Sequence, residues 1–263
     1  MAVNNYQGKK FTTQQVDAVD DNLTIEQALQ ISINDKPFTI TMRTPVNDLE
    51  LIRGLLYSED IYRGDENLLI DISVNEKKVI TEAEIKIDPN LLGTGYSNSR
   101  SFLSVASCGI CGKTELDNID TSCIIEDTNQ LSIASLYNMF DIMKQAQTTF
   151  KLSGGSHAAS SFTIDGKLLC TMEDIGRHNA VDKVIGYLVN NKLIKKAKCI
   201  TVSGRVSYEI VSKVFAAKIP ILAAVSAPST LAVDFAKELG ITLLGFCRGN
   251  KATCYSHPYR LIN

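Results

Sequence analysis

The sequence predicts an α/β protein with a parallel sheet in its C-terminal half. Short apolar runs predict strands over residues 199–202, 221–225 and 241–246, and helical patterns follow the first two. A β-α-β-α-β order requires right-handed crossovers and therefore parallel strands. The N-terminal half differs, because two hairpin patterns flank residues 34–37 and 75–77. We therefore expect a β-rich part followed by an α/β part.

The remaining N-terminal segments carry weaker signals. Residues 1–24 show little apolar pattern and are expected to form a loose arm. Thr44 and Pro45 are expected to begin a helix, because proline suits a first helical turn. Apolar residues at helical spacing would form its buried face, namely Leu49, Ile52, Leu55 and Leu56. Residues 91–100 are rich in glycine, serine and asparagine and are expected to form a mobile loop.

The C-terminal half begins with a predicted helix over residues 133–147 and a glycine loop over 153–157. Asp165 and Gly166 predict a tight turn between two strands. A helix is expected to begin near Asn179, and Gly240 is expected to end the helix that precedes the last parallel strand. Cys123, Cys170 and Cys199 lie among apolar residues and are expected to be core residues.

Composition narrows the classes of function. The chain has 263 residues, 44% of them hydrophobic and 21% charged, with a net charge of -2. This balance gives no reason to expect nucleic acid or a membrane surface as a partner. No apolar run approaches the roughly 18 residues that span a bilayer. The first ten residues lack the apolar region of a secretory signal, so the seven cysteines are expected to be reduced thiols in the cytoplasm.

Cys108 and Cys111 form the clearest chemical motif. Glycines lie within and just after the pair, and Lys113 follows. Glycine allows a sharp turn that exposes both sulfur atoms. A second thiol and a nearby cation lower the pKa of the first thiol, which favours the reactive thiolate. The motif therefore predicts a reactive sulfur site on a loop.

Two alternatives for this cysteine pair stay open. A zinc knuckle needs two further ligands, and the other cysteines form no second C-x-x-C, which leaves the three histidines as partners. Dithiol exchange is the second alternative, although the pair does not follow a first strand as in thioredoxin-like proteins. The H-x-E and P-C-x-x-C signatures of zinc deaminases are absent from the sequence. The favoured interpretation uses no metal.

The loops after the three parallel strands are expected to meet at one edge of the sheet, where ligands of open α/β sheets bind. Hydroxyl groups, glycine N–H groups and cations suit phosphate oxygens. The groups offered there are Ser203, Gly204, Arg205, Ser226, Ser229, Arg248, Gly249, Asn250 and Lys251. The sequence therefore predicts a phosphate-bearing ligand beside a reactive thiol.

Residues 173–183 are polar or charged at seven of eleven positions. One interpretation is a solvated helix start capped by Asp174 or Asn179. The other is a functional site, in which His178 and Asp182 lie one turn apart and can form a hydrogen bond. The sequence does not decide between them.

In combination these motifs resemble the formate dehydrogenase accessory sulfurtransferase family, the FdhD-type sulfur carrier proteins. Thr44 and Pro45 with the helix after them also fit that family, and the resemblance spans nearly the whole chain. The stretches that carry it are residues 107–113, 154–159, 173–183, 203–209 and 245–249.

The resemblance implies a fold and an assembly. A smaller N-terminal β-rich domain, residues 1–128, would carry the cysteine loop. Residues 129–263 would form a three-layer α/β domain similar to cytidine deaminases, with a partly parallel sheet and no zinc site. The family also implies a homodimer.

The resemblance further implies a sulfurtransferase. Cys108 would accept persulfide sulfur from a cysteine desulfurase, with Cys111 assisting. The sulfur would pass to the molybdenum (or tungsten) bis-molybdopterin guanine dinucleotide cofactor of formate dehydrogenase, which guanine nucleotides such as GDP would mimic. The residues expected to contact this ligand are Phe246, Cys247, Arg248, Gly249, Asn250, Lys251, Ser203, Gly204, Arg205, His157, Arg177 and His178.

The C-terminal segment departs from the family pattern. Cys247 and Cys254 look like departures from the family's usual C-terminal segment and add competing thiols.

Two other functions stay open. A non-catalytic chaperone that holds the molybdenum cofactor would use the same strand-edge loops without needing Cys108. A zinc-dependent nucleotide hydrolase is the third reading, and it would require bound zinc.

Overall fold

The chain folds around two mixed sheets, one of four strands in its N-terminal half and one of six in its C-terminal half. This computed structural model describes residues 2–64, 66, 68–98 and 124–263, without the side chains of residues 97 and 98. Cys108, Cys111 and Cys123 lie outside the described residues. No helix within the described ranges is both long and apolar enough to cross a membrane.

The first 24 residues form an antiparallel hairpin, so the expectation of a loose arm was wrong. Strand β1 (Val3–Phe11) pairs along its length with β2 (Val16–Thr24). Both faces of this ribbon are largely solvated, which hides the alternation that normally marks a strand. Lys10 lies opposite Asp17, a cross-strand pair of opposite charge that favours this register.

The four-stranded sheet confirms both predicted hairpins. It contains β3 (Gln27–Ile33), β4 (Lys36–Arg43), β5 (Leu69–Val74) and β6 (Ile80–Lys86), in the order β4-β3-β6-β5. Strands β3 and β6 are parallel, and the other two pairings are antiparallel. Helix α1 (Asp48–Ser58) buries its apolar side against this sheet.

Helix α1 begins at Asp48, three residues later than expected from Pro45. Val46 and Asn47 have positive φ angles of 95° and 59°, which exclude them from a right-handed helix. Asp48 is held by the buried Arg43, whose Nε donates to its carboxylate at 2.6 Å. As a result Leu49 is 44% exposed. The buried face consists of Leu51, Ile52 and Leu56, and Leu55 is half-buried.

Residues 91–98 are also more ordered than expected. A 3₁₀ turn covers Pro89–Leu91, and the short helix α2 covers Thr94–Asn98. The N–H groups of Gly93 and Gly95 donate to the carbonyls of Ile61 and Asp60. These contacts tie the segment to the end of α1, in place of the predicted loop.

The six-stranded sheet has the order β13-β12-β11-β10-β8-β9. The C-terminal elements are β7 (Leu131–Ser132), α3 (Ile133–Ala146), α4 (Thr148–Ser153), β8 (His157–Phe162), β9 (Leu168–Asp174), α5 (Arg177–Asn190), β10 (Cys199–Val202), α6 (Tyr208–Ala216), β11 (Ile221–Ala224), α7 (Thr230–Glu238), β12 (Thr242–Arg248), β13 (Lys251–Ser256) and β14 (Leu261–Ile262). Strands β10, β11 and β12 are parallel as predicted, whereas β8 and β13 pair antiparallel with their neighbours. The α/β class is therefore confirmed.

Helices cover both faces of this sheet. Ile200 and Val202 of β10 belong to the core shared with α5, α6 and α7. Cys199 of the same strand faces the other way, into the core shared with α3. Because successive strand residues alternate between faces, the C-terminal half has three layers. The domain division between residues 128 and 129 stays a prediction.

Helices α1 and α5 cross at very short distance. A Cβ placed on Gly54 would lie 1.8 Å from the carbonyl oxygen of Asp182, and one on Gly186 would lie 1.9 Å from that of Glu50. Only glycine fits at these two positions. The crossing therefore joins the helix of the N-terminal sheet directly to the first helix of the C-terminal layer.

The polar segment 173–183 is mostly buried, so of its two interpretations the solvated helix start was wrong. Asp174 is 0% exposed, and its carboxylate lies 2.7 Å from the Lys183 ammonium. The same carboxylate accepts the backbone N–H of Thr44 at 3.1 Å and that of Gly176 at 2.8 Å. Asn179 binds Asp174 and does not cap the helix. This segment thus attaches the N-terminal part to the start of α5.

We predict that Gly54→Ala strongly destabilises the protein. The added methyl group would overlap the backbone of α5, and overpacking of this kind costs about 2 kcal/mol or more. Urea unfolding followed by circular dichroism would measure the loss. Gly8→Ala is the matched control, because its Cβ would meet only Val19 at an ordinary 3.6 Å. Equal unfolding midpoints for the two variants would contradict the close helix crossing.

Candidate functional site

The loops after β10, β11 and β12 lie side by side. The Val206 N–H donates to the Ala227 carbonyl at 3.1 Å, and the Phe246 N–H donates to the Ser226 carbonyl at 3.1 Å. These bonds join residues 203–205, 226–229 and 246–251, which we call the C-terminal edge. The order of the strands predicted that these three loops would lie together, and the hydrogen bonds between them confirm it.

His157 joins this edge because β8 runs antiparallel to β10. The Ser203 N–H donates to the Ala158 carbonyl, and the Ser203 hydroxyl accepts the Ala158 N–H, both at 2.9 Å. A Cβ on Gly204 would lie 3.1 Å from Nδ1 of His157 and 3.5 Å from Cβ of Arg177. His157, Gly204 and Arg177 are therefore in close proximity.

The electrostatic environment of His157 favours an anionic ligand. Burial lowers the pKa of this histidine, and the nearby charges of Arg177, His178 and Arg205 lower it further. Asp174 opposes the shift only weakly. A neutral imidazole surrounded by cations can donate or accept a hydrogen bond without adding charge.

Arg177 carries the strongest sign of a ligand-binding role. Its Nε is buried and has no hydrogen-bond partner within the described part of the chain. Unpaired buried donors are rare and costly, and a guanidinium suits phosphate oxygens. Arg177 begins α5, where the positive end of the helix dipole adds to the attraction for an anion.

His178 holds the first loop of the edge in place. Its Nε2 lies 3.1 Å from the Ser207 hydroxyl and 3.1 Å from the Glu209 carboxylate. Burial opposes ionisation of Glu209, but the hydrogen bonds of His178 and Ser207 outweigh it and lower the carboxyl pKa. Asp182 instead contacts Ser58 and Lys213, so the His178–Asp182 hydrogen bond that one interpretation allowed is not formed.

The turn between β12 and β13 projects from the edge. Phe246, Gly249 and Asn250 have positive φ angles between 55° and 58°. Phe246 is 40% exposed, and Arg248 and Lys251 are also exposed. The turn therefore offers two cations and an aromatic ring to solvent at one end of the C-terminal edge.

Cys247 differs from its neighbours in this turn. Its side chain is only 2% exposed and packs in the core under α3, and burial raises its pKa to about 12. Burial also raises the pKa of Cys254. Neither thiol favours the thiolate, so they compete poorly for sulfur chemistry, and Cys247 could reach a ligand only through its backbone.

The two remaining described cysteines are buried. Cys170 and Cys199 are buried as predicted, and burial raises the pKa of Cys170 to about 12. Over residues 2–98 and 124–263, so far as described, no cluster of histidine, cysteine and acidic side chains is arranged to hold a metal. That finding does not include Cys108 and Cys111.

Sequence reasoning missed two residues that shape this site, Ser207 and Glu209. They lie within the stretch 203–209, and their spacing of serine and glutamate at the start of α6 is a helix-start signal. Their contact with His178 depends on how α5 and α6 pack, which the local pattern does not reveal.

The fold and the edge define an α/β protein with a cationic, anion-attracting site at the carboxyl ends of parallel strands. A family model described as the FdhD/NarQ family matches residues 24–262. The chain therefore belongs to the FdhD/NarQ family.

Similar proteins support this assignment. A sulfur carrier protein FdhD from Sulfolobus acidocaldarius is 40% identical over 92% of both chains. A protein of that name from Mycobacterium tuberculosis is 36% identical over 96% of both. A crystal structure described as a formate dehydrogenase accessory protein, from Desulfotalea psychrophila, covers both chains fully with a TM-score of 0.79. Its 19% identity supports the fold alone.

We predict that His157 titrates below the ordinary histidine value of about 6.5. The folded state then binds fewer protons than the unfolded chain, so protonation of this group destabilises the fold as pH falls through 6.5. Arg177→Gln should raise the His157 pKa, because it removes a cation beside the ring. NMR titration of the ring protons would measure both values. Arg248→Gln is the control and should leave the pKa unchanged; an unmoved pKa in Arg177→Gln would contradict the assignment.

Proposed function

We propose that this protein is a sulfur carrier in the maturation of formate dehydrogenase. The relatives named sulfur carrier protein FdhD and the Cys108–Cys111 pair support this function. The observation that carries the ligand side of the proposal is the buried Nε of Arg177 beside His157, which has no hydrogen-bond partner among the described residues. It fits a phosphate oxygen of a large anionic cofactor.

The sulfur enters on Cys108. Its thiolate attacks the outer sulfur of a persulfide on a cysteine desulfurase, a new S–S bond forms, and the desulfurase cysteine leaves as a thiolate. Cys108 then carries the persulfide, and Cys111 assists its release by thiol exchange. The Cys111 thiolate attacks the inner sulfur, a Cys108–Cys111 disulfide forms, and the outer sulfur leaves as sulfide to the acceptor; a thiol reductant then restores the pair. Lys113 favours the anionic form of the pair.

The acceptor is the molybdenum (or tungsten) bis-molybdopterin guanine dinucleotide of formate dehydrogenase. Its phosphates would lie along the C-terminal edge, within reach of Arg177, Arg205 and Arg248. Glycine N–H groups and the Ser203 loop complete a phosphate-binding surface of ordinary kind. GDP carries the same guanine and phosphate groups and would occupy part of the same surface.

The family resemblance supports the proposed partners: a cysteine desulfurase supplies the sulfur, and formate dehydrogenase receives the treated cofactor. The same resemblance supports a homodimer, and the N-terminal sequence supports the cytoplasm as the location. The alternative is a chaperone that only holds the cofactor. The cations of the C-terminal edge would be enough for that role, and no sulfur on Cys108 would be needed.

We predict that incubation with a cysteine desulfurase and cysteine adds about 32 Da, the mass of one sulfur atom, at Cys108. Mass spectrometry of the intact protein and its peptides would show the gain. Cys108→Ser should lose it, and Cys247→Ser should keep it because the Cys247 thiol is buried. Persistent loading of Cys108→Ser would refute the carrier role, and absent loading of the unaltered protein would favour the chaperone.

We predict that Arg177→Met weakens GDP binding by about tenfold or more, because one charged hydrogen bond contributes about 1.5–3 kcal/mol. Isothermal titration calorimetry would measure the affinity. Arg63→Met is the matched control, since Arg63 pairs with Asp60 next to α1. Unchanged affinity in Arg177→Met would remove this arginine from the ligand site.

A further inference from the structure

The β1–β2 hairpin has an unusual position and surface. It lies before residue 24, where the match to the family model begins. Its base is anchored by the hydroxyls of Thr24 and Ser153, 2.6 Å apart. Residues 4–11 of β1 are all exposed, including Tyr6 at 57% and Phe11 at 74%. An isolated two-stranded ribbon is marginally stable in water, so this one is suited to further pairing.

The outer edge of β1 carries backbone groups that no described residue pairs as a strand. The Thr12 N–H donates to the Gln15 carbonyl, and the Ile25 N–H donates to the Ala2 carbonyl. With the strand register, these bonds show which residues of the hairpin form hydrogen-bonded pairs. The odd-numbered residues of β1 therefore direct their N–H and C=O groups away from β2. Within the described ranges β1 pairs with β2 alone. Such an edge accepts another strand.

Charge selects β1 over β2 as the pairing edge. Strand β2 carries Asp17, Asp20 and Asp21, so two β2 strands side by side would bring six carboxylates together. Strand β1 carries only two charged residues, Lys9 and Lys10, and both lie at its C-terminal end. An antiparallel copy of β1 places these lysines opposite the asparagines at the other end.

We propose that the outer edge of β1 pairs with β1 of a second copy of this chain, antiparallel and centred on Gln7. In this register Val3 lies opposite Phe11 of the other copy, and Asn5 lies opposite Lys9. Apolar side chains then meet at both ends of the shared ribbon, where Val16 lies next to Phe11. The result is a four-stranded sheet built from two hairpins.

The centre of the pairing is also complementary. Tyr6 of each copy lies opposite Gly8 of the other, and Gly8 has Val19 beside it in the hairpin. Residues 7–9 and 18–20 line a depression in this region. An aromatic ring over a strand glycine stabilises a sheet, because it covers the exposed backbone. This register gives two copies of this chain a specific contact surface.

Analytical ultracentrifugation over a range of concentrations tests this surface. Gln7→Pro removes the central outward N–H in both copies, so self-association should weaken by about tenfold or more. Ala18→Pro is the matched control, because it removes an outward N–H from β2 and should leave the association unchanged. A monomeric unaltered protein, or equal behaviour of the two proline variants, would overturn the proposal.

Cross-linking gives an independent measurement. Opposed residues of a hydrogen-bonded antiparallel pair have Cα atoms about 5.5 Å apart, which suits a disulfide. Gln7→Cys should therefore form a covalent dimer on oxidation, beyond the level of the unaltered protein, and Asp20→Cys should not. Equal cross-linking at both positions would contradict the β1 pairing. Sulfur loading of Cys108 is measured separately, so the two proposals can fail independently.

Discussion

The buried carboxylate of Asp174 is the interaction on which the site depends. A carboxylate that is 0% exposed is costly unless it is paired and hydrogen-bonded. Lys183 supplies the opposite charge, and the N–H groups of Thr44 and Gly176 supply two of its hydrogen bonds. Because these partners come from both halves of the chain, satisfying one charge places the start of α5 against the N-terminal segment. The tight crossing of α1 and α5 then maintains that placement.

The position of α5 has a direct chemical consequence. Its first residues, Arg177 and His178, are brought to the carboxyl ends of the parallel strands, where His157 and Gly204 meet them. The buried Nε of Arg177 has no partner in the part of the chain that the structure describes, and it lies next to an imidazole of lowered pKa, an arrangement that a bound anion would stabilise. The polar motif is thus divided: its buried members, His178 included, support the structure, and Arg177 lies at the C-terminal edge.

Several expectations followed from local pattern and several failed for local reasons. The three parallel strands were predictable from short continuous apolar runs, because both of their faces are buried. The two N-terminal hairpins were predictable from the turn residues at 34–37 and 75–77 between strand-like segments. The hairpin of residues 3–24 was missed, since both its faces are solvated. Helix α1 was placed too early because positive φ angles at Val46 and Asn47 leave little trace in the sequence.

The amino-acid sequence by itself determined the α/β class, the meeting of the strand-end loops and the family motifs, because these depend on short-range pattern and chain order. Only the tertiary structure decided which polar residues are buried supports and which lie at the C-terminal edge. It also turned the Cys247 thiol into the core and gave His178 and Asp182 separate partners. The reason is physical: the pKa and exposure of a side chain depend on neighbours that are distant in sequence.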